Sequence, residues 1–103
     1  MRIIKEKTLF EVVEGNKYSS ATESIKAWIF EVRKANWSNS SHLKAKYRNA
    51  SIIGDKRVIF NIKGNDFRLI ADIEYKLKIV FIVWFGTHNE YDKIDAKTIR
   101  YEK

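Results

Sequence analysis

Apolar residues recur along this chain in two different periods, and the change falls near Asn49. Before it, Ala21, Ile25, Trp28, Ile29 and Val32 follow at steps of four, three, one and three. That spacing places them on one face of a helix. Ser20 and Glu23 fit an S-x-x-E capping box at its start, and the helix should run to about Ala35. Lys26, Arg33 and Lys34 fall on its other side. Upstream, Arg2 to Lys5 reads as a short strand. Thr8 to Glu14 reads as a short helix capped by Thr8 and ending near Gly15-Asn16. Asn36 to Ser41 (NWSNSS) reads as a loop that then caps another short helix, from about His42 to Arg48.

After Asn49 the period becomes two. Arg57 to Lys63 sets Val58, Phe60 and Ile62 against Arg57, Ile59, Asn61 and Lys63, the pattern of a half-buried strand. Gly64-Asn65 suits a two-residue hairpin turn. The next strand spans about Phe67 to Glu74, with Phe67, Leu69, Ala71 and Ile73 alternating against Arg68, Ile70, Asp72 and Glu74. Lys78 to Phe85 is almost continuously apolar and rich in β-branched residues, as expected of a strand covered on both faces. Gly54-Asp55 predicts an earlier hairpin that pairs about Ala50 to Ile53 with the strand at Arg57. The order is one strand, two or three helices, then a meander of four strands. This predicts an α+β domain, with helices packed on one face of a mostly antiparallel sheet of four to five strands.

At 103 residues the expectation is one domain with one modest core, too small for a nucleotide-binding domain plus a substrate domain. There is no proline, and no repeat or composition break marks a linker. With no cysteine there is no disulfide framework, thiolate zinc site or cysteine nucleophile. MRIIKEKTLF carries charges throughout and lacks the apolar stretch of a signal peptide. The longest apolar run, Ile79 to Phe85, is too short to span a bilayer. No membrane association and a cytoplasmic location are the expectations.

The net charge of +7 is unevenly placed. Residues 1–41 carry seven Lys/Arg against five acids, residues 42–68 seven against two, and residues 69–103 six against six. The excess in the middle third points to an anionic partner, nucleic acid above all. Three Trp, five Tyr and six Phe first serve to fill a small core, though one or two could stack on bases.

Two places could carry chemistry. Arg57, Asn61 and Lys63 share a strand face, and Arg68 lies across the Gly64-Asn65 turn. Their facing follows from parity, because the apolar sets must point to the core. Guanidinium forks match phosphate oxygens in pairs, although a water-facing sheet surface would also favour Lys and Arg. The second place is Gly86 to Asp92, at the end of the apolar strand, where functional loops gather. His88, one of two histidines, is the natural proton carrier at neutral pH, and Tyr91 offers a hydroxyl nearby. The plain alternative is a loop histidine bonded to a carboxylate such as Asp92. Metal-free RNA cleavage needs a base for the ribose 2′-hydroxyl, cations for the phosphate and an acid for the leaving 5′-oxygen. Candidates for all three are present. A two-metal site needs converging carboxylates, and no such set is visible, so neither metal nor cofactor is expected. No phosphate-loop, dinucleotide, hydrolase or zinc-protease motif occurs.

RVIFNIKGNDFRLI (57–70) followed by VFIVWFGTHNEYDKID (80–95) strongly resembles HigB-family toxins of type II toxin–antitoxin systems, in the RelE-like superfamily. MRII, the helix around Ile25 to Trp28, Trp37, and Lys44-Ala45-Lys46-Tyr47 before Ala50-Ser51 extend the likeness over nearly the whole chain. The resemblance implies a RelE-like fold and metal-independent cleavage of messenger RNA, usually at the ribosomal A site. It also implies inhibition by a HigA-type helix-turn-helix antitoxin, with operator DNA bound only through the pair. By position, Arg57, Lys63 and Arg68 would hold the scissile phosphate. His88 would act as acid or base, with Tyr91 assisting or stacking. Asn61 would position a neighbour, and Lys46 and Arg48 would add to RNA binding. A non-catalytic RNA- or ribosome-binding module using the same basic face is the alternative. Lys97 to Lys103 has no expected role beyond capping the fold.

Overall fold

A computed structural model describes residues 1–15 and 18–100 of the chain. In order, the elements are β1 (Arg2–Ile4), α1 (Glu6–Glu14), α2 (Thr22–Lys34), α3 (Ser40–Lys46), β2 (Ser51–Ile53), β3 (Arg57–Ile62), β4 (Phe67–Glu74), β5 (Ile79–Thr87) and α4 (His88–Tyr91). The five strands form one sheet in the order β1-β5-β4-β3-β2. β1 runs parallel to β5, and every other neighbouring pair is antiparallel. The α+β expectation holds: three helices precede the β2–β5 meander and cover one sheet face.

That face is the main core. Val58, Phe60 and Ile62 of β3 and Leu69, Ala71 and Ile73 of β4 meet Ile25, Trp28, Ile29 and Val32 of α2. Each large side chain buried there contributes roughly 1.5–3 kcal/mol, so the helical stripe and the alternating strands hold each other in place. Trp28 and Phe60 meet edge to face at 5.2 Å. The Met1 amino group closes the end of α2 by donating to the Val32, Arg33 and Ala35 carbonyls, each at 2.9 Å. A helix leaves its last carbonyls short of partners, although Val32 here also accepts the Ala35 N–H at 3.0 Å.

Helix starts differ from expectation, for local reasons. α1 begins at Glu6, after Lys5 at φ 76°, so Thr8 lies inside the helix and does not cap it. Asn16, where that helix was expected to end, lies outside the described residues, and Glu14 is the last helical residue. Ser20 does not cap α2. It sits in a tight turn, Ser19–Ala21, and the cap position falls on Ala21 in helical conformation. A capping side chain needs an extended residue at that point, and none is there. α3 begins two residues early, at Ser40, because Asn39 is extended and its side chain accepts the His42 N–H.

The β3–β4 connection keeps the expected register, with Ile62 opposite Phe67. Its left-handed residues, however, are Lys63 (φ 53°) and Gly64 (φ 65°), one position earlier than the Gly64-Asn65 reading.

Candidate functional site

The side chains on the sheet face away from the helices are set by register and by one bulge. β3 and β4 place Arg57 opposite Asp72, Ile59 opposite Ile70, and Asn61 opposite Arg68. Between β4 and β5 the register slips: Ile70 pairs with Trp84 and Ala71 with Ile82, which leaves Val83 as the extra residue. Strict alternation from Phe81 would send Phe85 outward and turn Trp84 and Gly86 toward the helices. The extra residue reverses both, as a one-residue shift must. Phe85 therefore packs in the main core, while Trp84 lies on the outer face and Gly86 pairs with Arg68.

The middle of the outer face is covered. Ile59, Ile70 and Val83 form a second small core under Ile94, Ala96 and Ile99 of the C-terminal segment. Arg57 holds that segment. Its Nε and Nη2 donate to the two carboxylate oxygens of Asp72 at 2.8 and 2.9 Å. Its Nη1 donates to the Ala96, Lys97 and Ile99 carbonyls at 3.1, 3.3 and 2.6 Å. The Asp72 hydrogen bond raises the Arg57 pKa above its ordinary value. Arg57 is thus neutralised and occupied, about 13 Å along β3 from Asn61 at roughly 3.3 Å per residue. The structure does not bring it together with the other sequence-derived cations.

Arg68 sits in the opposite situation. It is 9% exposed. Nη1 donates to the Asn65 and Phe67 carbonyls at 3.0 and 3.2 Å, and Nη2 to Asn65 Oδ1 at 3.3 Å. Its guanidinium carbon lies 5.7 Å from the centre of the Tyr91 ring. Among the described residues no carboxylate pairs with it. A buried, oriented and unneutralised cation attracts an anion more strongly than a solvated one does.

α4 brings the second group to the same end of the sheet. The expected loop is in fact a capped helical turn. The Thr87 hydroxyl accepts the Glu90 N–H at 3.2 Å, and Glu90 Oε1 accepts the Thr87 N–H at 2.9 Å. Glu90 also accepts the Tyr18 hydroxyl at 2.8 Å, which ties the turn to the helical layer. The His88 N–H donates to the Asp66 carbonyl at 2.9 Å, fixing α4 beside the β3–β4 turn. His88 Nε2 lies 3.5 Å from Asp92 Oδ2, and its side chain is 48% exposed. Spacings of three and four put His88, Tyr91 and Asp92 on one side of the turn. Tyr91 meets Arg68 there, and Trp84 lies 6.3 Å from the Tyr91 ring.

Lys63, exposed in the turn, lies at this end as well. Next to it is an open cleft of about 400 Å³ lined by Lys46, Arg48, Asn49, Asn61 and Gly64. Asn61 joins this cleft to Arg68, its partner across the strands. Lys44 shapes the cleft wall by donating to the Arg48 and Ala50 carbonyls at 2.8 and 2.6 Å. The outcome is one basic end made of Lys46, Arg48, Asn61, Lys63, Arg68, His88 and Tyr91, with Arg57 elsewhere.

Sequence reading missed three contributors. Trp84 was hidden by the bulge, and Lys44 by its bonding to backbone alone. The Thr87–Glu90 box was legible, because T-H-N-E fits the signature that was sought at Ser20.

The family model for HigB_toxin, the RelE-like toxic component of a toxin–antitoxin system, matches residues 21–94. The chain belongs to the HigB toxin family. A search of the curated proteins finds no match. The matched stretch runs from the start of α2 past α4, so every residue of the basic end of this HigB-family toxin lies inside it. As the toxic component of such a system it has an antitoxin for a partner. Among the described residues of the toxin, no helix is long and apolar enough to cross a membrane.

Proposed function

We propose that this HigB-family toxin is an endoribonuclease that cuts messenger RNA without a metal, on translating ribosomes, and is neutralised by a HigA-type antitoxin. One observation carries the reading: Arg68 is buried, aimed by three hydrogen bonds and, among the described residues, has no carboxylate partner, beside Tyr91 and at the His88 end of the sheet. A scissile phosphate supplies the missing charge.

In this reading the ribose 2′-oxygen attacks the adjacent phosphorus while a base takes its proton. The bond from phosphorus to the 5′-oxygen breaks, and an acid protonates that oxygen. A cyclic phosphate and a 5′-hydroxyl result. His88 and Tyr91 are the proton carriers, and Asp92 orients the imidazole. Arg68 and Lys63 stabilise the charge that grows on the phosphoryl oxygens. Asn61, Lys46 and Arg48 hold the flanking strand along the cleft. The antitoxin complex, and not the toxin alone, would contact operator DNA.

The test maps transcript 5′ ends after brief induction. New ends clustered inside coding regions, absent for Arg68→Ala and His88→Ala, support the nuclease. Salt-sensitive RNA or ribosome binding with no new ends would instead mark a non-catalytic module.

A further inference from the structure

Three large apolar side chains are exposed among the described residues: Val12, Phe30 and Leu77, at 38%, 59% and 69%. Of these, Phe30 borders a groove. It runs between the end of α2 and α3, encloses about 560 Å³, and is floored by Ala35, Ala45 and Tyr47 beside Phe30. Its rim is basic. Lys34 Nζ lies 4.1 Å from the Phe30 ring centre, and Lys46 stands on the opposite helix. Neither ammonium pairs with a carboxylate among the described residues. The rim's carboxylate, Glu31, is engaged by the Tyr47 hydroxyl at 2.5 Å. Burial and that carboxylate push the Tyr47 phenol well above its ordinary range, so it stays a neutral donor. An apolar floor under two ammonium groups with no carboxylate partner among the described residues fits a segment with an apolar anchor and flanking acids.

The groove is continuous with the basic cleft, because Lys46 and Tyr47 line both. An occupant anchored on Phe30 that follows the rim reaches Lys46, then Arg48 and Asn61. RNA fits the groove less well. One face of the Phe30 ring is already covered by Lys34, which leaves less of it for a base to stack on.

We propose that the groove between α2 and α3 is the docking site of the antitoxin, through an acidic segment that sets an apolar side chain against Phe30 and masks Lys46. The proposal rests on the family, whose toxins have antitoxin partners, and not on the nuclease reading. Only its consequence, occlusion of the cleft, depends on that reading.

The experiment uses the full chain and its cognate antitoxin. Phe30→Glu replaces the apolar contact with a carboxylate at an exposed position flanked by the partner's acids. Growth arrest should persist in this variant and no longer be relieved by antitoxin co-expression. The dissociation constant, measured by calorimetry with both purified proteins, should rise at least 30-fold, and for Lys34→Glu at least fivefold. Ala45→Arg, on the exposed side of α3, fills the groove from its other wall and should act likewise, so a folding fault in one variant does not decide the matter. Unchanged affinity in Phe30→Glu and Ala45→Arg overturns the proposal. So does loss of RNA binding in both while antitoxin affinity holds, which would assign the groove to RNA. The affinity measurement stands even if the wild type cuts no RNA, so the two readings fail separately.

Discussion

Arg68 on β4 is the registered neighbour of Gly86 on β5, and the glycine is what lets the Trp84 ring lie beside it. A Cβ at Gly86 would come within 2.5 and 2.7 Å of Trp84 Cη2 and Cζ2, and within 2.9 Å of Glu90 Oε1. The glycine is thus required by space and not by a left-handed backbone. Gly86→Ala must push aside the indole, the Glu90 carboxylate that caps α4, or both. The expected cost is about 1–3 kcal/mol, the usual range for overpacking. RNA cleavage per folded molecule should fall as α4 shifts. Urea unfolding and tryptophan fluorescence check this together, and a variant with wild-type stability and emission would contradict it.

Arg68→Ala should reduce cleavage at least a hundredfold, the scale seen when a donor to a developing oxyanion is removed. Arg68→Lys should not restore it. A single ammonium cannot reproduce three bonds to Asn65 and Phe67 and still face a phosphate. Cleavage rates on translating ribosomes give the readout, with circular dichroism reporting the fold. A lysine variant with more than a tenth of wild-type activity would refute this.

Arg57→Gln should act on stability and leave RNA affinity near wild type. It strands the Asp72 carboxylate and frees three carbonyls of the C-terminal segment. Breaking a fully buried pair costs roughly 3–5 kcal/mol. The Asp72 side chain is 35% exposed, so solvent screening reduces the expectation to about 2 kcal/mol. Denaturant melts and RNA titrations separate the two effects. A stable variant with weakened RNA binding would return Arg57 to the phosphate-holding set.

Lys63→Asn should raise stability while lowering activity. Lys63 sits at φ 53°, a region that costs an ordinary side chain about 1 kcal/mol and that asparagine tolerates better. For a chain of this size, ~0.5–1 kcal/mol corresponds to a gain of a few degrees in Tm. The ammonium at the β3–β4 turn is lost in exchange. A melting curve paired with a cleavage assay tests it, and a lower Tm would show that the strain is not released.

Lys46→Gln combined with Arg48→Gln should weaken RNA binding to the same degree for every sequence. The slope of log affinity against log salt should flatten by about 0.7 for each phosphate that the double variant no longer neutralises. Titrations at several salt concentrations measure it. An unchanged slope would take these residues out of the interface.

Residues with a periodic reason to be where they are were legible in the sequence. The α2 stripe from Ala21 to Val32 and the alternation of β3 and β4 stood out, because a buried face repeats at the period of its element. Parity alone put Asn61 and Arg68 on the same side of the sheet, and the strand register then paired them. Helix starts were less legible. A capping side chain acts only from an extended residue, and the sequence does not show that Ser20 is already in a helical turn while Asn39 is not.

From its sequence this chain determined an α+β fold, a basic middle and the hairpin that carries Arg68. Three-dimensional packing decided which of two similar arginines is paired with a carboxylate. Asp72 and the carbonyls of a segment far along the chain neutralise Arg57, and nothing of the kind reaches Arg68 among the described residues. Packing also decided that Val83 is the extra residue in β5, which turns Trp84 outward. Ion pairs between distant segments and one-residue slips leave no period in a sequence, because they depend on which surfaces meet and not on local spacing.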